Sequence, residues 1–398
     1  MRAAAIAACT IAAGVSRADS QAGAQSGQRA FDTLWSVAPS AFGTWGRGPT
    51  SNAERCGDCH VAPGQPAAPP LARLSVTDAR GRSAPHPAYG SQLQTLGVLG
   101  RVPAEGQLRI HWHTRAARLA GGAVVALRAP QAAFEALAFG PLGAARVSRR
   151  VAPSLDGLGL LAAVPDAAIE ALAARAAAPG VHGRVQRVRD PVSGAPAVGR
   201  FGHKAGQPTL LAQAALALHE DLGVTSRLHP GQNCPLPQRA CTTQAASGTA
   251  EAADSMLHDL AAHLAALPPV PRAGGAPPEG ERLFHALGCA ACHRPSLPVA
   301  GVAGVSEAQA FTDLLLHDLG AGLSDGHGEH SASPRHWRTA PLWGLSRRLH
   351  AGLLHDGRAR DAQEAVLWHG GEAAAARRGY AALPAERRAK LLRFLESL

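Results

Sequence analysis

The chain has 398 residues, more than one ordinary domain contains, so we expect two or three domains. Its 46% hydrophobic content is typical of a soluble globular protein, although only 4% of the residues are aromatic. The formal net charge is +10, but the arginines that carry it are dispersed, which argues against binding to nucleic acid.

The N-terminus has the pattern of an export signal. Arg2 is a minimal basic region, residues 3–15 are mostly small and apolar, and Ser16 and Ala18 occupy the positions that a signal peptidase inspects. The apolar run is too short to cross a bilayer, and no later run is long enough. We therefore expect a signal peptide over residues 1–18, a periplasmic protein and no membrane span. Lipidation at Cys9 is the alternative.

Two short motifs carry the clearest chemistry. After a leader over residues 19–30 that we expect to be flexible, the chain contains Cys56-Gly57-Asp58-Cys59-His60, and the same pattern recurs as Cys289-Ala290-Ala291-Cys292-His293. In a C-x-x-C-H motif each cysteine forms a thioether to a haem vinyl group, and the histidine is the proximal ligand of the iron. The sequence therefore predicts two covalently attached c-type haems, with His60 and His293 as iron ligands. Zinc binding is the alternative, but neither motif has a second Cys/His pair at a suitable spacing.

Between the motifs the sequence predicts a few regular elements. Leu108, Ile110 and Trp112 alternate with polar residues before a Gly-Gly turn, which predicts a β-hairpin over residues 107–126. Helices are expected over residues 166–178, with Asp166 as the N-cap, and over residues 208–222.

Cys234 and Cys241 lie outside both haem motifs, in a loop that contains proline and glutamine. In an oxidising compartment such a pair predicts a local disulfide. A redox-active thiol pair is the alternative, although the spacing is not that of a thioredoxin-type site.

Residues 267–278 are rich in proline and predict a linker. A helix that begins near Glu279 leads into the second motif, and a closing helix is expected over residues 384–398. We therefore divide the mature chain into an N-terminal haem domain with an insertion (19–270) and a C-terminal cytochrome c-like domain (279–398). The predicted fold class is mainly α: two cytochrome c-like haem modules and an irregular insertion, in which a short β-hairpin is expected.

Part of the C-terminal region resembles the bacterial di-haem cytochrome c peroxidases. The residues that carry this resemblance are R-T-A-P-L at 338–342, L-H-D-G at 354–357 and E-A-V-L-W-H at 364–369. The resemblance implies that His369 is the distal ligand of the second haem. A surface position or a contact with a haem propionate is the alternative.

A wider resemblance, over nearly all of the mature chain, is to the di-haem oxidoreductase family of putative peroxidases. It rests on G-R-F-G-H-K-A at 199–205, T-D-L-L-L-H-D-L-G at 312–320, L-L-H-D-G-R-A at 353–359 and W-H-G-G-E-A at 368–373. The family usually has Trp where this chain has His203. If that Trp relays electrons or lines a haem, the departure bears on whether this chain has the activity of the family. A role of His203 as an iron ligand or proton donor is the alternative.

The sequence identifies no sixth ligand for the first haem. The position of the distal His in the peroxidases is Val76 here, and no His occurs between residues 61 and 85. His86, His111 and His113 are candidates further along, and an ordinary surface location is the alternative for each. The missing nearby ligand favours an open iron at the first haem.

The resemblance implies an oxidoreductase of the peroxidase type. A small electron-donor protein or cytochrome would reduce the second haem, and peroxide would react at the first. His317 and His355, each followed by Asp, are expected to support the second haem. A non-catalytic electron carrier with two six-coordinate irons is the alternative, and a maturation factor that oxidises a partner protein is a third possibility. The peroxidase and the electron carrier would share a fold, so the fold does not distinguish them. They differ in iron coordination, because only the peroxidase needs an open iron.

Overall fold

A computed structural model describes residues 17–37, 45–62, 65–244 and 249–398. The predicted signal peptide, with Cys9, lies outside these residues except for Arg17 and Ala18, where the first helix begins. None of the helices in the described ranges has both the length and the apolar character that crossing a bilayer requires.

The helices occur at both ends of the chain and in its middle. The α-helices of the described residues are α1 (Arg17–Asp32), α2 (Leu158–Ala162), α3 (Asp166–Ala173), α4 (Leu210–Leu222), α5 (Arg239–Thr242), α6 (Asp254–Ala266), α7 (Pro278–Ala286), α8 (Ala362–Trp368), α9 (Ala374–Ala382) and α10 (Ala385–Glu396). Short 3-10 helices span Cys56–Asp58, Cys289–Ala291, Ala321–Leu323, Leu345–Ala351 and Gly371–Ala373.

The strands form small separate sheets of two or three strands. They are β1 (Ser36–Val37), β2 (Trp45–Arg47), β3 (Leu71–Thr77), β4 (Ser83–Ala84), β5 (Gln107–Arg118), β6 (Val124–Glu135), β7 (Arg146–Arg150), β8 (Arg187–Arg189), β9 (Pro196–Val198), β10 (Leu297–Pro298), β11 (Glu307–Ala308), β12 (Leu316–Asp318) and β13 (His336–Arg338). Strand β3 pairs antiparallel with both β4 and β7, and β5 pairs antiparallel with β6 over their full length.

The prediction of a mainly α fold is wrong, because the structure is 30% helical and 21% strand. Apart from β3, β5, β6 and β7, the strands have only two or three residues. Segments this short are set by tertiary contacts and leave no detectable alternation in the sequence. The flexible leader expected over residues 19–30 is also wrong, because these residues belong to helix α1.

Other predicted elements are confirmed. The hairpin is present as β5 and β6 and is longer than expected. Helices α3, α4 and α10 match their predicted segments, although α3 ends at Ala173 and Pro165, not Asp166, is its N-cap. Asp166 instead accepts a hydrogen bond from Arg200. The disulfide between Cys234 and Cys241 is present, with the two Cα atoms 5.6 Å apart.

Two helix pairs with the same close contact organise the molecule. In the first helix pair (α1 and α6), a Cβ atom on Gly27 would lie closer than 3.0 Å to the carbonyl oxygen of Asp259. In the second helix pair (α7 and α10), a Cβ atom on Gly280 would meet the carbonyl oxygen of Lys390 in the same way. Only glycine allows two helix backbones to approach this closely.

The two helix pairs also share a phenylalanine one turn after the glycine, and in each pair this ring contacts an aromatic side chain of the facing helix. The Phe31 ring lies 5.5 Å from that of His263 on α6, and the Phe284 ring lies 5.3 Å from that of Phe394 on α10. The sequences G-Q-R-A-F-D-T-L at 27–34 and G-E-R-L-F-H-A-L at 280–287 share this pattern. The chain therefore contains an internal repeat of the helix that precedes each haem motif.

Each helix pair has its own apolar core. Around the first helix pair the core includes Leu257, Leu260 and Leu264, and it continues into Leu314, Leu315 and Trp343 from the C-terminal part of the chain. Around the second helix pair it is formed by buried apolar residues of α7, α8 and α10, among them Leu283, Phe284, Leu367, Trp368, Leu391, Phe394 and Leu395. A third cluster, with Leu74 and Tyr89, lies under sheet β4–β3–β7.

One buried carboxyl group should make stability depend on pH. Glu105 is fully buried and accepts hydrogen bonds from the backbone N–H of Gln94 and from the Gln238 side chain. Burial raises the pKa of Glu105 to about 7. Because the folded pKa exceeds the unfolded one, this stability is complete below about pH 4.3 and is lost, by about 3 kcal/mol, as the pH rises through the folded pKa.

We expect Glu105→Gln to be more stable relative to the native protein at pH 8 than at pH 5, as measured by denaturant unfolding at both pH values. Glu135→Gln, at an exposed position of the hairpin, is the control and should keep the native pH profile. Parallel profiles for the native protein and Glu105→Gln would contradict this account.

Candidate haem sites

The second motif lies at the end of helix α7. Gly288 has φ of 82°, a conformation that favours glycine, and it turns the chain from α7 into the 3-10 helix Cys289–Ala291. Cys289 and Cys292 are free and partly buried. The Nδ1 atom of His293 lies 3.0 Å from the carbonyl oxygen of Phe311, so it donates there and leaves Nε2 for a metal. Burial lowers the pKa of His293 to about 4, which keeps the ring in the neutral form that binds metals.

His369 faces His293. It directly follows helix α8, and its Nδ1 atom lies 2.6 Å from the carbonyl oxygen of Ala365, so its Nε2 atom is also left free. The two ring centroids are 6.5 Å apart. An iron with an imidazole nitrogen about 2.1 Å away on each side would hold the ring centroids roughly 6–7 Å apart. The pair therefore fits two axial ligands of one haem iron.

A group of ionisable residues fixes the loop that carries His369. His317 is buried, with Nε2 2.8 Å from the carboxylate of Asp313 and Nδ1 2.7 Å from that of Glu372. Although burial opposes protonation, hydrogen bonds with Asp313, Cys292 and Glu372 raise the pKa of His317 to about 12. Glu372 also accepts the backbone N–H groups of His182 and Asp318. It thereby anchors the residues just after His369 to strand β12.

Cys292, Asp313 and His317 together have the ligand types and spacing of a small metal site. Cys292 belongs to the second haem motif, and the carboxylate of Asp313 is already hydrogen-bonded to His317. We therefore interpret these residues as part of the support of the second haem.

Arginines collect around Trp368, the residue before His369. The guanidinium of Arg358 lies 4.5 Å from the centroid of the Trp368 ring and is paired with Asp356. Nearby Arg149 is partly buried, its buried Nε and Nη1 atoms have no hydrogen-bond partner among the described residues, and burial lowers its pKa to about 10. The indole Nε1 atom of Trp368 also lacks a partner within the described ranges. Buried unpaired donors beside a single carboxylate fit an anionic group such as a haem propionate.

The first motif has a similar environment. Asp58 accepts hydrogen bonds from the backbone N–H groups of Glu54 and Arg55, which fixes the turn Cys56–Asp58. The Nδ1 atom of His60 lies 3.2 Å from the carbonyl oxygen of Pro153, and burial lowers the pKa of His60 to about 4. Phe31, from the first helix pair, is the aromatic residue beside His60, with ring centroids 6.3 Å apart. His60 thus has the same kind of backbone support as His293.

The segment that supports His60 also contacts His203 and His355, which belong to the sequence motifs at 199–205 and 353–359. Val151 lies two residues before Pro153. Its carbonyl oxygen accepts a hydrogen bond from Nε2 of His203 at 2.9 Å, and the N–H of Val151 donates to the carbonyl oxygen of His355. The His355 ring stacks on Trp337, with centroids 3.7 Å apart. His203 and His355 therefore lie in a hydrogen-bonded and stacked group between the two motifs, and neither ring faces His60 or His293 as His369 does.

The other candidate ligands lie elsewhere. His111 and His113 are exposed on strand β5, and the His86 ring lies 5.2 Å from that of Tyr89. The aromatic ring recorded beside His60 is that of Phe31, and none of these three histidines is recorded next to it.

Comparison with known proteins identifies the family to which the chain belongs. The model of the family described as "Di-haem oxidoreductase, putative peroxidase" matches residues 143–398, which include the second motif but not the first. A solved structure of hydrazine synthase from Kuenenia stuttgartiensis, pressurized with xenon, is 18% identical over 42% of this chain and 63% of its own chain, with a TM-score of 0.26. That likeness is too low to support any conclusion about fold or activity, and no curated protein matches the chain. Because the family model covers well over half of the sequence, the chain belongs to the di-haem oxidoreductase, "putative peroxidase", family.

Proposed function

We propose that the protein is a periplasmic di-haem c-type oxidoreductase that reduces peroxide. His293 and His369 would hold the haem that takes electrons from a small electron-donor protein or cytochrome, and His60 would hold the haem at which peroxide would bind. When bound, the haems supply reversible one-electron chemistry and, at an open iron, a site for peroxide. The observation that carries the proposal is the contrast between His293, which faces His369, and His60, which faces Phe31.

At the second site, the protein's own groups favour a closed iron. Nδ1 of each histidine is held by a backbone carbonyl and the ring centroids are 6.5 Å apart, so both Nε2 atoms are left for one iron with little rearrangement of the side chains. Glu372 and His317 hold the loop after His369 in position. A centre whose ligands stay fixed is suited to electron transfer.

At the first site, His60 is held by Pro153 and lies beside the apolar ring of Phe31. The segment after β7 that supports His60 also bonds to His203 and His355 through Val151, and His355 stacks on Trp337. In our proposal this packed group is the part of the protein through which the two sites communicate.

Attachment by thioethers and export from the cytoplasm support each other. Cys56, Cys59, Cys289 and Cys292 are free in the structure, while Cys234 and Cys241 form a disulfide, as expected in an oxidising compartment. Covalent haem attachment takes place outside the cytoplasm, in agreement with the signal-like N-terminus.

The test is an EPR spectrum of the purified holoprotein, fully oxidised and then half-reduced, followed by a peroxide assay. We expect a high-spin ferric signal in at least one state, together with a low-spin signal. Intact mass should show two attached haems, and replacing both Cys56 and Cys59 by alanine should remove one. Two low-spin signals with no high-spin signal in either state would overturn the peroxidase proposal and favour a non-catalytic electron carrier.

A further inference from the structure

The long hairpin β5–β6 lies outside the residues that match the family model. Near its open end, Leu108 and Phe134 pack against the core beneath sheet β4–β3–β7. Near its turn, Leu119 and Leu127 belong to the core around the second helix pair. The hairpin therefore reaches from the N-terminal sheet to the second haem site, and both ends are anchored by apolar contacts.

The turn end of the hairpin covers residues next to His369. Arg115 lies over the Trp368 ring, 5.7 Å from its centroid. Arg360 donates to the carbonyl oxygen of Ala126 on β6 at 2.7 Å. Since Trp368 is adjacent in sequence to His369, a protein bound to this end of the hairpin would be near the second haem site.

The exposed surface of the hairpin is basic. Strand β5 contains Arg109, His111, His113, Arg115 and Arg118 and no acidic residue. The acidic residue of β6 is Glu135, at the open end, where it pairs with Arg109. Arg115 and Arg118 are exposed, and within the described part of the chain neither has a carboxylate at ion-pair distance.

An exposed tryptophan lies among these charges. The Trp112 side chain is 39% exposed, and the guanidinium groups of Arg128 and Arg149 lie 4.4 and 5.2 Å from its ring centroid. Tryptophan and arginine are the residue types that most often dominate the binding energy of protein interfaces. An exposed aromatic ring on the same strand as Arg115 and Arg118, which have no carboxylate partner among the described residues, matches a partner with a negatively charged surface.

We propose that the exposed part of hairpin β5–β6 from His111 to Arg118, where side chains on both faces of β5 are exposed, is the docking surface for a small acidic redox protein that exchanges electrons with the second haem. This inference rests on the proposed function and names the chemistry of its partner. One electron passes between the two metal centres, so that one is oxidised as the other is reduced, and no bond or proton is exchanged. Electrostatic attraction raises the rate of encounter most strongly at low ionic strength.

The experiment uses two forms of one probe. Mitochondrial cytochrome c is basic, and succinylation of its lysines replaces ammonium groups by carboxylates on the same protein. The holoprotein, reduced with dithionite and freed of excess dithionite by gel filtration, is mixed with each ferric probe in a stopped-flow instrument, and the second-order rate constant is measured against ionic strength. We expect the succinylated probe to react about 10-fold faster or more at low salt, an advantage that salt removes.

In the double variant Arg115→Glu, Arg118→Glu, the succinylated probe should lose most of its faster rate at low salt. The matched control Arg101→Glu, Arg239→Glu changes the same charge at exposed positions outside the hairpin and should stay within about 2-fold of the native rate. Circular dichroism of both variants checks that they are folded.

The outcomes separate this proposal from the proposed function, because reduction by dithionite and the EPR test do not involve the hairpin. Equal rates for the two probes, or equal losses in the two double variants, would overturn the docking proposal. So would binding of the native protein to phosphatidylglycerol vesicles that is lost in Arg115→Glu, Arg118→Glu while the probe rates stay unchanged. That result would make the hairpin a contact for an anionic membrane surface.

Discussion

Replacing His369 by alanine should convert the second haem from a low-spin to a high-spin centre. The His293 and His369 rings face each other at 6.5 Å, each with Nδ1 held by a backbone carbonyl, so both Nε2 atoms are free for one iron. Removing one ring leaves a coordination position that water or no ligand fills, and either gives a weaker ligand field. EPR of the oxidised variant should show that a low-spin signal has been replaced by a high-spin one.

His350→Ala is the control, because His350 is exposed on the 3-10 helix Leu345–Ala351 and should leave the spectrum unchanged. His369→Met should keep the iron six-coordinate but raise its reduction potential, since a methionine ligand favours the reduced iron. An unchanged low-spin spectrum in His369→Ala would show that another group is the distal ligand.

Features with strong local patterns were predictable from the sequence. The hairpin shows alternation at Leu108, Ile110 and Trp112, and its Gly-Gly turn has two glycines with positive φ, Gly121 and Gly122. Helix α4 shows apolar residues at helical spacing and has Thr209 as its N-cap. In these elements local preference and tertiary packing agree, which is why the predictions are confirmed.

Helix α1 is predictable when the sequence is compared with itself. Its residues are mostly polar or small, so composition suggested a flexible leader, and its fixed position depends on the contact of Gly27 with α6. The pattern G-x-R-x-F-x-x-L at 27–34 recurs at 280–287, where the helix was expected. Alignment of the chain with itself therefore contained the missing signal.

In the candidate haem sites, too, some residues are predictable from local sequence and others depend on tertiary packing. The two C-x-x-C-H motifs and His369 are defined by local sequence and by the family resemblance. The carbonyl groups of Pro153 and Phe311, which orient His60 and His293, lie far from them in the chain and are backbone atoms that any residue has. Glu372 stood within a recognised motif, but its bonds to His317, Asp318 and His182 depend on the packing of three separate segments.

A second large effect is expected when the glycines of the helix pairs are replaced. A Cβ atom at Gly27 or Gly280 would lie closer than 3.0 Å to a backbone carbonyl oxygen of the facing helix, which cannot turn away as a side chain can. Each helix must then move as a unit. We expect Gly27→Ala and Gly280→Ala to lower the free energy of unfolding by about 3 kcal/mol, the upper part of the range for overpacking.

Gly23→Ala is the matched control for this comparison. Gly23 lies one turn before Gly27 on the same helix and the same face, but its Cβ atom would meet the nearest atom, Oδ1 of Asp259, at an ordinary 3.5 Å. Since alanine favours a helix over glycine by about 1 kcal/mol, this variant should be as stable as the native protein or more stable. Denaturant unfolding of the three holoprotein variants measures the difference. Equal stability for Gly23→Ala, Gly27→Ala and Gly280→Ala would mean that the helices can separate at little cost, so that the haems and not the glycine contacts hold each helix pair together.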